Sequence, residues 1–87
     1  MSTDTPLDII HRQFGPKVAA LLTPEQQADA VQVFRLIADR ETEAIARAWM
    51  IGQNPHLGDQ PPILAIRDGR AHDVEGAARA YLDGMWT

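Results

Sequence analysis

The stretch TPEQQADAVQVFRLIADRETEAIARAWMI, residues 23–51, decides the fold. Thr23 followed three residues later by Gln26 fits a capping box, in which each side chain satisfies a backbone N–H that the first helical turn leaves unpaired. Pro24 suits the first helical position, because its missing N–H would have no partner there. Ala30, Val33, Phe34, Ile37 and Ala38 then recur at i, i+3, i+4, i+7 and i+8, the spacing of an amphipathic helix with one face for a core. The stripe runs on through Ile45, Ala48 and Trp49 with Glu41 as its one polar member, and no Gly or Pro intervenes between Pro24 and Gly52. The composition leans toward one continuous helix to Ile51. Two helices joined near Arg40 to Thr42 is the other reading, since a helix much over ~25 residues is uncommon.

On the N-terminal side, Thr5-Pro6-Leu7-Asp8 repeats the start signal, with Thr5 as cap, Pro6 at the first position and Asp8 in the positive first turn. Leu7, Ile10 and Phe14 form the expected stripe of that helix, and Gly15-Pro16 ends it. Lys17 to Leu22 reads as a further short helix, with Val18, Leu21 and Leu22 facing inward. On the C-terminal side, Gly52 is a natural cap. Gln53 to Pro62 carries Asn54-Pro55, Gly58-Asp59 and Pro61-Pro62, which is turn chemistry with Leu57 as an apolar anchor. Pro62 opens a short helix through Ile63, Leu64 and Ile66 that stops at Asp68-Gly69. Asp73 is placed to cap a last helix with Val74, Ala77, Ala78, Tyr81 and Leu82 as its stripe and Gly84 at its end. No run of alternating β-branched residues occurs. The expected fold is all-α, a small single-domain bundle of about four to six helices with one ordered loop rich in Asn-Pro, Gly and Pro.

With 87 residues the chain has room for one core. A domain this small hides only ~60 to 68% of the surface its unfolded form exposes, so the usual reinforcements are disulfides, a metal or a partner chain. Cys 0 excludes the first. His11, His56 and His72 lie far apart without cysteine partners, so no structural zinc is expected. A hydrophobic fraction of 45% exceeds that of a disordered tail and implies a folded domain. Helix packing and a partner chain remain. The formal charge of −4 provides no overall attraction for phosphates, so nucleic acid is not an expected partner of this chain alone. No segment approaches the ~20 apolar residues of a membrane span, and Met1-Ser2-Thr3-Asp4 lacks the features of a signal peptide. A cytoplasmic protein without membrane association is the expectation.

An enzyme is not expected either. Nucleophilic catalysis needs a Ser, Cys, Thr or Lys beside a base, yet Ser2 is the only serine, Lys17 the only lysine, and the threonines serve as caps. Asp68, Asp73 and Glu75 read as turn and helix-start residues, and Gly52, Gly58 and Gly69 each stand singly where a helix or turn ends, so no phosphate-cradling loop is expected. No catalytic residue, metal or cofactor is expected.

The informative constellation runs from Trp49 to Gly84: Trp49-Met50, Asn54-Pro55 with Leu57-Gly58, Pro61-Pro62, Leu64-Ala65-Ile66-Arg67-Asp68-Gly69, Val74, and Tyr81 to Gly84. Physically, Trp49 at a helix end can roof the loop, while Asn54 can bond its own turn backbone. This order of residues resembles the toxin-binding domain of the Xre/MbcA/ParS-type antitoxins, in which a helix ending in Trp-Leu or Trp-Met leads into an Asn-Pro-x-Leu-Gly loop, a Pro-led short helix and a Gly. Arg67-Asp68-Gly69 followed by Val74 looks like the mycobacterial members. The resemblance covers residues 42–87.

The resemblance implies that the domain binds and neutralises a RES-domain toxin, an enzyme that consumes or transfers from NAD, by occluding its active site with the antitoxin's C-terminal end. The implied partner-binding residues are Trp49, Asn54, Leu57, Arg67, Arg70, Tyr81, Gly84, Met85 and Trp86, the last three forming a plug. It also implies a homodimer, with residues 1–41 as an N-terminal helical region suited to dimerisation and 42–87 as the toxin-binding-like segment of the same compact domain. A stand-alone helical dimer acting as an adaptor or transcriptional co-regulator is the other expectation. The chain departs from the family in two places. Residues 1–41 are acidic where full-length members carry a helix-turn-helix domain, and Gly58-Asp59 stands where the family often has Gly-Gly.

Overall fold

Thr-Pro pairs and prolines open most of the helices. The computed structural model describes residues 4–84, which form α1 (Pro6–Phe14), α2 (Pro16–Leu21), α3 (Pro24–Arg40), α4 (Glu43–Ile51), a 3-10 turn (Pro55–Leu57), α5 (Pro62–Arg67) and α6 (Ala71–Asp83), with no strand among the described residues. The expected box at Thr23 is present, and the expected cap Thr5 forms a second box with Asp8. Thr5 Oγ1 accepts from the Asp8 N–H at 3.1 Å while Asp8 Oδ2 accepts from the Thr5 N–H. Thr23 Oγ1 accepts from the Gln26 N–H at 3.2 Å while Gln26 Oε1 accepts from the Thr23 N–H. A proline sits in the first turn of α1, α2, α3 and α5, where it costs no hydrogen bond.

The favoured continuous helix from Pro24 to Ile51 is not formed. The chain breaks at Glu41, whose φ of −127° and ψ of −110° lie outside the helical region, and Thr42 caps α4 by accepting from the Ile45 N–H at 3.1 Å. A threonine whose hydroxyl can bond a nearby backbone N–H offers the chain an alternative to continuing the helix, and this suffices without Gly or Pro. The break lets α4 fold back against α3 instead of extending past it, and it changes which side chains of α4 point inward.

The core joins Ile9 and Ile10 of α1, Ala19 and Leu22, the stripe Ala30, Val31, Val33, Phe34 and Ile37 of α3, Ala46 and Met50 of α4, Leu57, Ile63, Ala65 and Ile66, and Val74, Ala77, Ala78 and Leu82 of α6. Four expectations are thereby corrected. Ile9 replaces Leu7 as the partner of Ile10, and Ala19 with Leu22 replaces Leu21, because α1 and α2 are rotated slightly from the assumed phase; Leu7 and Leu21 are each 46% exposed. Ile45 and Ala48 face outward, since α4 restarts in a new phase. Asp73 does not cap α6: the cap position is Arg70, and Asp73 lies in the first turn, 3.1 Å from the Arg70 guanidinium.

Phe14 meets Phe34 edge to face at 6.0 Å, and the buried Gln27 side chain donates to the Ala19 and Leu22 carbonyls, holding the open end of α2 on α3. Gln26 does double duty, since its Nε2 also donates to the Arg67 carbonyl at the end of α5. Among the described residues no buried side-chain nitrogen or oxygen lacks a hydrogen-bond partner, and no helix is long and apolar enough to cross a membrane.

Candidate functional site

The segment after α4 is built around Asn54. Gly52 closes α4 with its N–H on the Ala48 carbonyl. Asn54, only 6% exposed, accepts the His56 N–H through Oδ1 at 2.9 Å, while its carbonyl accepts the N–H groups of Leu57 and Asp59, both at 2.9 Å. One residue thus organises the backbone of the next five, as an Asx-type turn does. Pro55 presets the 3-10 turn, and Leu57, 2% exposed, drops into the core beneath it. Gly58 and Asp59 both take φ of +66°, in the left-handed region. Aspartate is among the few residues other than Gly that adopt it at modest cost.

Arg70 ties the loop to α6. Its Nη1 donates to the Leu57 carbonyl at 3.4 Å and to Gln60 Oε1 at 3.2 Å, while its Nε faces Asp73. Gln60 in turn donates to Asp68 Oδ2 at 2.6 Å, and Arg67 donates to Asp68 Oδ1 at 3.0 Å. The hydrogen bonds from Arg67 and then from Gln60 hold the Asp68 carboxyl below the usual aspartate range. Its contribution to stability is therefore present above that range and fades as pH falls through the lowered value.

At the other edge of the loop, Trp49 from α4 lies against Tyr81 from α6, ring centres 6.2 Å apart and tilted by 42°. The Tyr81 hydroxyl donates to Glu41 Oε1 at 2.6 Å, joining the last turns of α6 to the break between α3 and α4. That bond to a carboxylate, reinforced by burial, raises the Tyr81 phenol above the ordinary tyrosine value. Ala48, Trp49, Gly52, Gln53, Asn54, Pro55, His56 and Tyr81 enclose an open groove of about 360 Å³.

Three of the expected site residues, Trp49, Asn54 and Tyr81, thus share one groove. Leu57 lies beneath the loop and is not at the surface. Arg70 lines a neighbouring hollow with His56, His72 and Asp73, and its guanidinium is committed to the loop. Arg67 lines neither concavity. Gly84 caps α6 with its N–H on the Ala80 carbonyl. Met85 and Trp86 lie outside the described residues.

Sequence reasoning missed Glu41, Gln60 and His56. Glu41 and Tyr81 are 40 positions apart and Gln60 acts on residues of the following turn, so no local pattern reveals them. His56 borders both concavities, and its place between Pro55 and the anchored Leu57 was the available signal. Among the described residues no group of three or more His, Cys, Asp and Glu side chains is arranged to hold a metal ion.

The phenol bond gives a testable result. Tyr81→Phe keeps the ring against Trp49 and removes one hydrogen bond to a carboxylate, with an expected loss of about 1 kcal/mol, at the low end because the pair is partly solvated. A phenol raised in the folded state contributes stability fully below the unfolded value of about 10 and loses it as pH rises through the folded value. Urea unfolding at pH 8 and pH 11 is therefore expected to show a wild-type to Tyr81→Phe gap that narrows at the higher pH. An equal gap at both would remove the Glu41 contact from the account.

No protein-family model, curated protein or solved structure matches this chain.

Proposed function

We propose that this domain is an antitoxin-like inhibitor that binds a RES-domain, NAD-consuming toxin and covers its active-site cleft with the C-terminal end of the chain. One observation supports the reading: Trp49 and Asn54, which are close in sequence, and the distant Tyr81, all part of the antitoxin resemblance, line a single groove beside the end of α6. The groove combines two large amphipathic rings with an ordered loop, the mixture enriched where proteins dock. The plug is the segment after Asp83, with Gly84, Met85 and Trp86. The functional partner is thus a protein, and the action is occlusion.

Co-expression with a RES-domain protein encoded beside this chain tests the proposal. The toxin alone is expected to deplete cellular NAD and arrest growth; with this chain, NAD and growth recover and the two proteins co-purify. Absence of both rescue and complex sinks it. Removing residues 85–87 leaves every described core residue in place. The truncated chain is expected to inhibit at least about tenfold less well, equivalent to roughly 1.4 kcal/mol, with little change in melting temperature. Undiminished inhibition would rule out the plug.

A further inference from the structure

Helix α4 has two apolar faces and buries only one. Of its nine residues, Glu43 and Arg47 alone are charged, and both turn toward α1: Gln13 Nε2 donates to Glu43 Oε1 at 3.2 Å, and Arg47 Nε and Nη2 donate to Gln13 Oε1 at 3.2 and 3.1 Å. Ala46 and Met50 face the core. At about 100° per residue, Ile51, Ala44, Ala48 and Ile45 fill an arc of roughly 120° between Arg47 and Trp49, as broad as the stripe a helix normally turns inward. All four are exposed, Ile45 by 40% and Ile51 by 53%. They include two of the four exposed large hydrophobics among the described residues.

The start of α4 sharpens the point. In α1 and α3 the capping threonine has a polar residue three positions on, Asp8 or Gln26, which completes the box. After Thr42 that position is Ile45, an exposed apolar side chain where a carboxylate would serve the helix better.

The length of α4 limits what can cover this face. Nine residues span about 14 Å, and a strip about 10 Å wide along them offers roughly 140 Å² of footprint. A stable interface takes ~800 Å² from each partner, so contact between the α4 strips of two copies falls far short. The strip is, however, continuous with the aromatic groove through Ala48, which belongs to both. An occupant of the groove with an ordinary interface would extend onto the strip. We infer that the exposed face of α4 is the apolar half of the toxin-binding surface and that it receives an uncharged, apolar segment of the toxin. This rests on the function proposed above. A charge opposite Ile45, Ala48 and Ile51 would be buried without a partner, which selects against acidic and basic segments there.

The test uses Ile45→Glu, Ile51→Glu and the double variant, with Leu21→Glu on α2 as an equally exposed control. Ile45→Glu supplies the missing half of the Thr42 box, so it is expected to hold or raise the melting temperature while weakening the toxin. Titration calorimetry with the co-purified toxin partner is expected to show at least a tenfold loss of affinity for the double variant and none for Leu21→Glu. The milder Ile45→Gln and Ile51→Gln pair, expected to weaken binding in the same direction, serves if the double Glu variant does not fold. Unchanged affinity in a folded double variant overturns the inference and leaves the proposed function standing. A wild-type dimer that the double variant converts to monomer assigns the face to a second copy and also overturns it. No complex with the wild-type chain overturns both.

Discussion

Leu57→Ala is expected to lower the free energy of unfolding by about 2–5 kcal/mol, the range for truncating a fully enclosed aliphatic side chain. Leu57 is 2% exposed and is the one side chain that the 3-10 turn sends into the core. Its neighbours are helices fixed by their own packing, so the site cannot collapse easily onto the vacated volume, and the cavity cost adds to the lost transfer free energy. For a domain of this size such a loss is a large fraction of total stability. Urea titration gives the measurement: the midpoint falls with an unchanged slope, as for a cooperative transition with one core. A change under 1 kcal/mol would mean that the loop hangs on Asn54 and Arg70 alone, and that its apolar anchor is dispensable.

Trp49→Ala is expected to weaken the complex with the proposed toxin at least about thirtyfold, or roughly 2 kcal/mol, the scale of an aromatic hot spot. Trp49 is half-buried against Tyr81 and lines the groove. Its removal leaves Tyr81 without its ring neighbour. Some stability is also lost, so the affinity is compared with that of Trp49→Phe, which keeps an aromatic ring at the site. Calorimetry on both variants separates the two effects. Affinity unaffected by the alanine variant would place the toxin elsewhere on the molecule.

The starts of α1, α3 and α5 were legible because their chemistry is local. Thr5, Thr23, Pro6, Pro24 and Pro62 act on backbone within a few residues, and Asn54 likewise closes its own turn. The break at Glu41 and Thr42 was harder to read, because a capping threonine inside an unbroken apolar stripe competes with the stripe. Once α4 restarts in a new phase, Ala46 and Met50 inherit the core and Ile45 and Ala48 lose it. The groove was visible only in part. Trp49 and Asn54 could be placed at a helix end and a turn, but the meeting of Trp49 with Tyr81, and of Tyr81 with Glu41, depends on how α6 crosses the bundle. Arg70 entered the sequence reading only as an implied partner-binding residue; that it reaches 13 positions back to the Leu57 carbonyl follows from the folding of α5 between them.

That reach of Arg70 bears on the thermodynamics of association. Ordering a flexible backbone costs roughly 1–2 kcal/mol per residue, and a loop that is disordered until it binds forfeits this at the moment of contact. From Asn54 to Gln60 the outlay has already been met during folding, by the Asn54 turn, the Leu57 anchor and the Arg70 tie. Docking on this loop therefore resembles the meeting of two rigid surfaces, and the contact energy of a partner is retained as affinity instead of being consumed in ordering the chain.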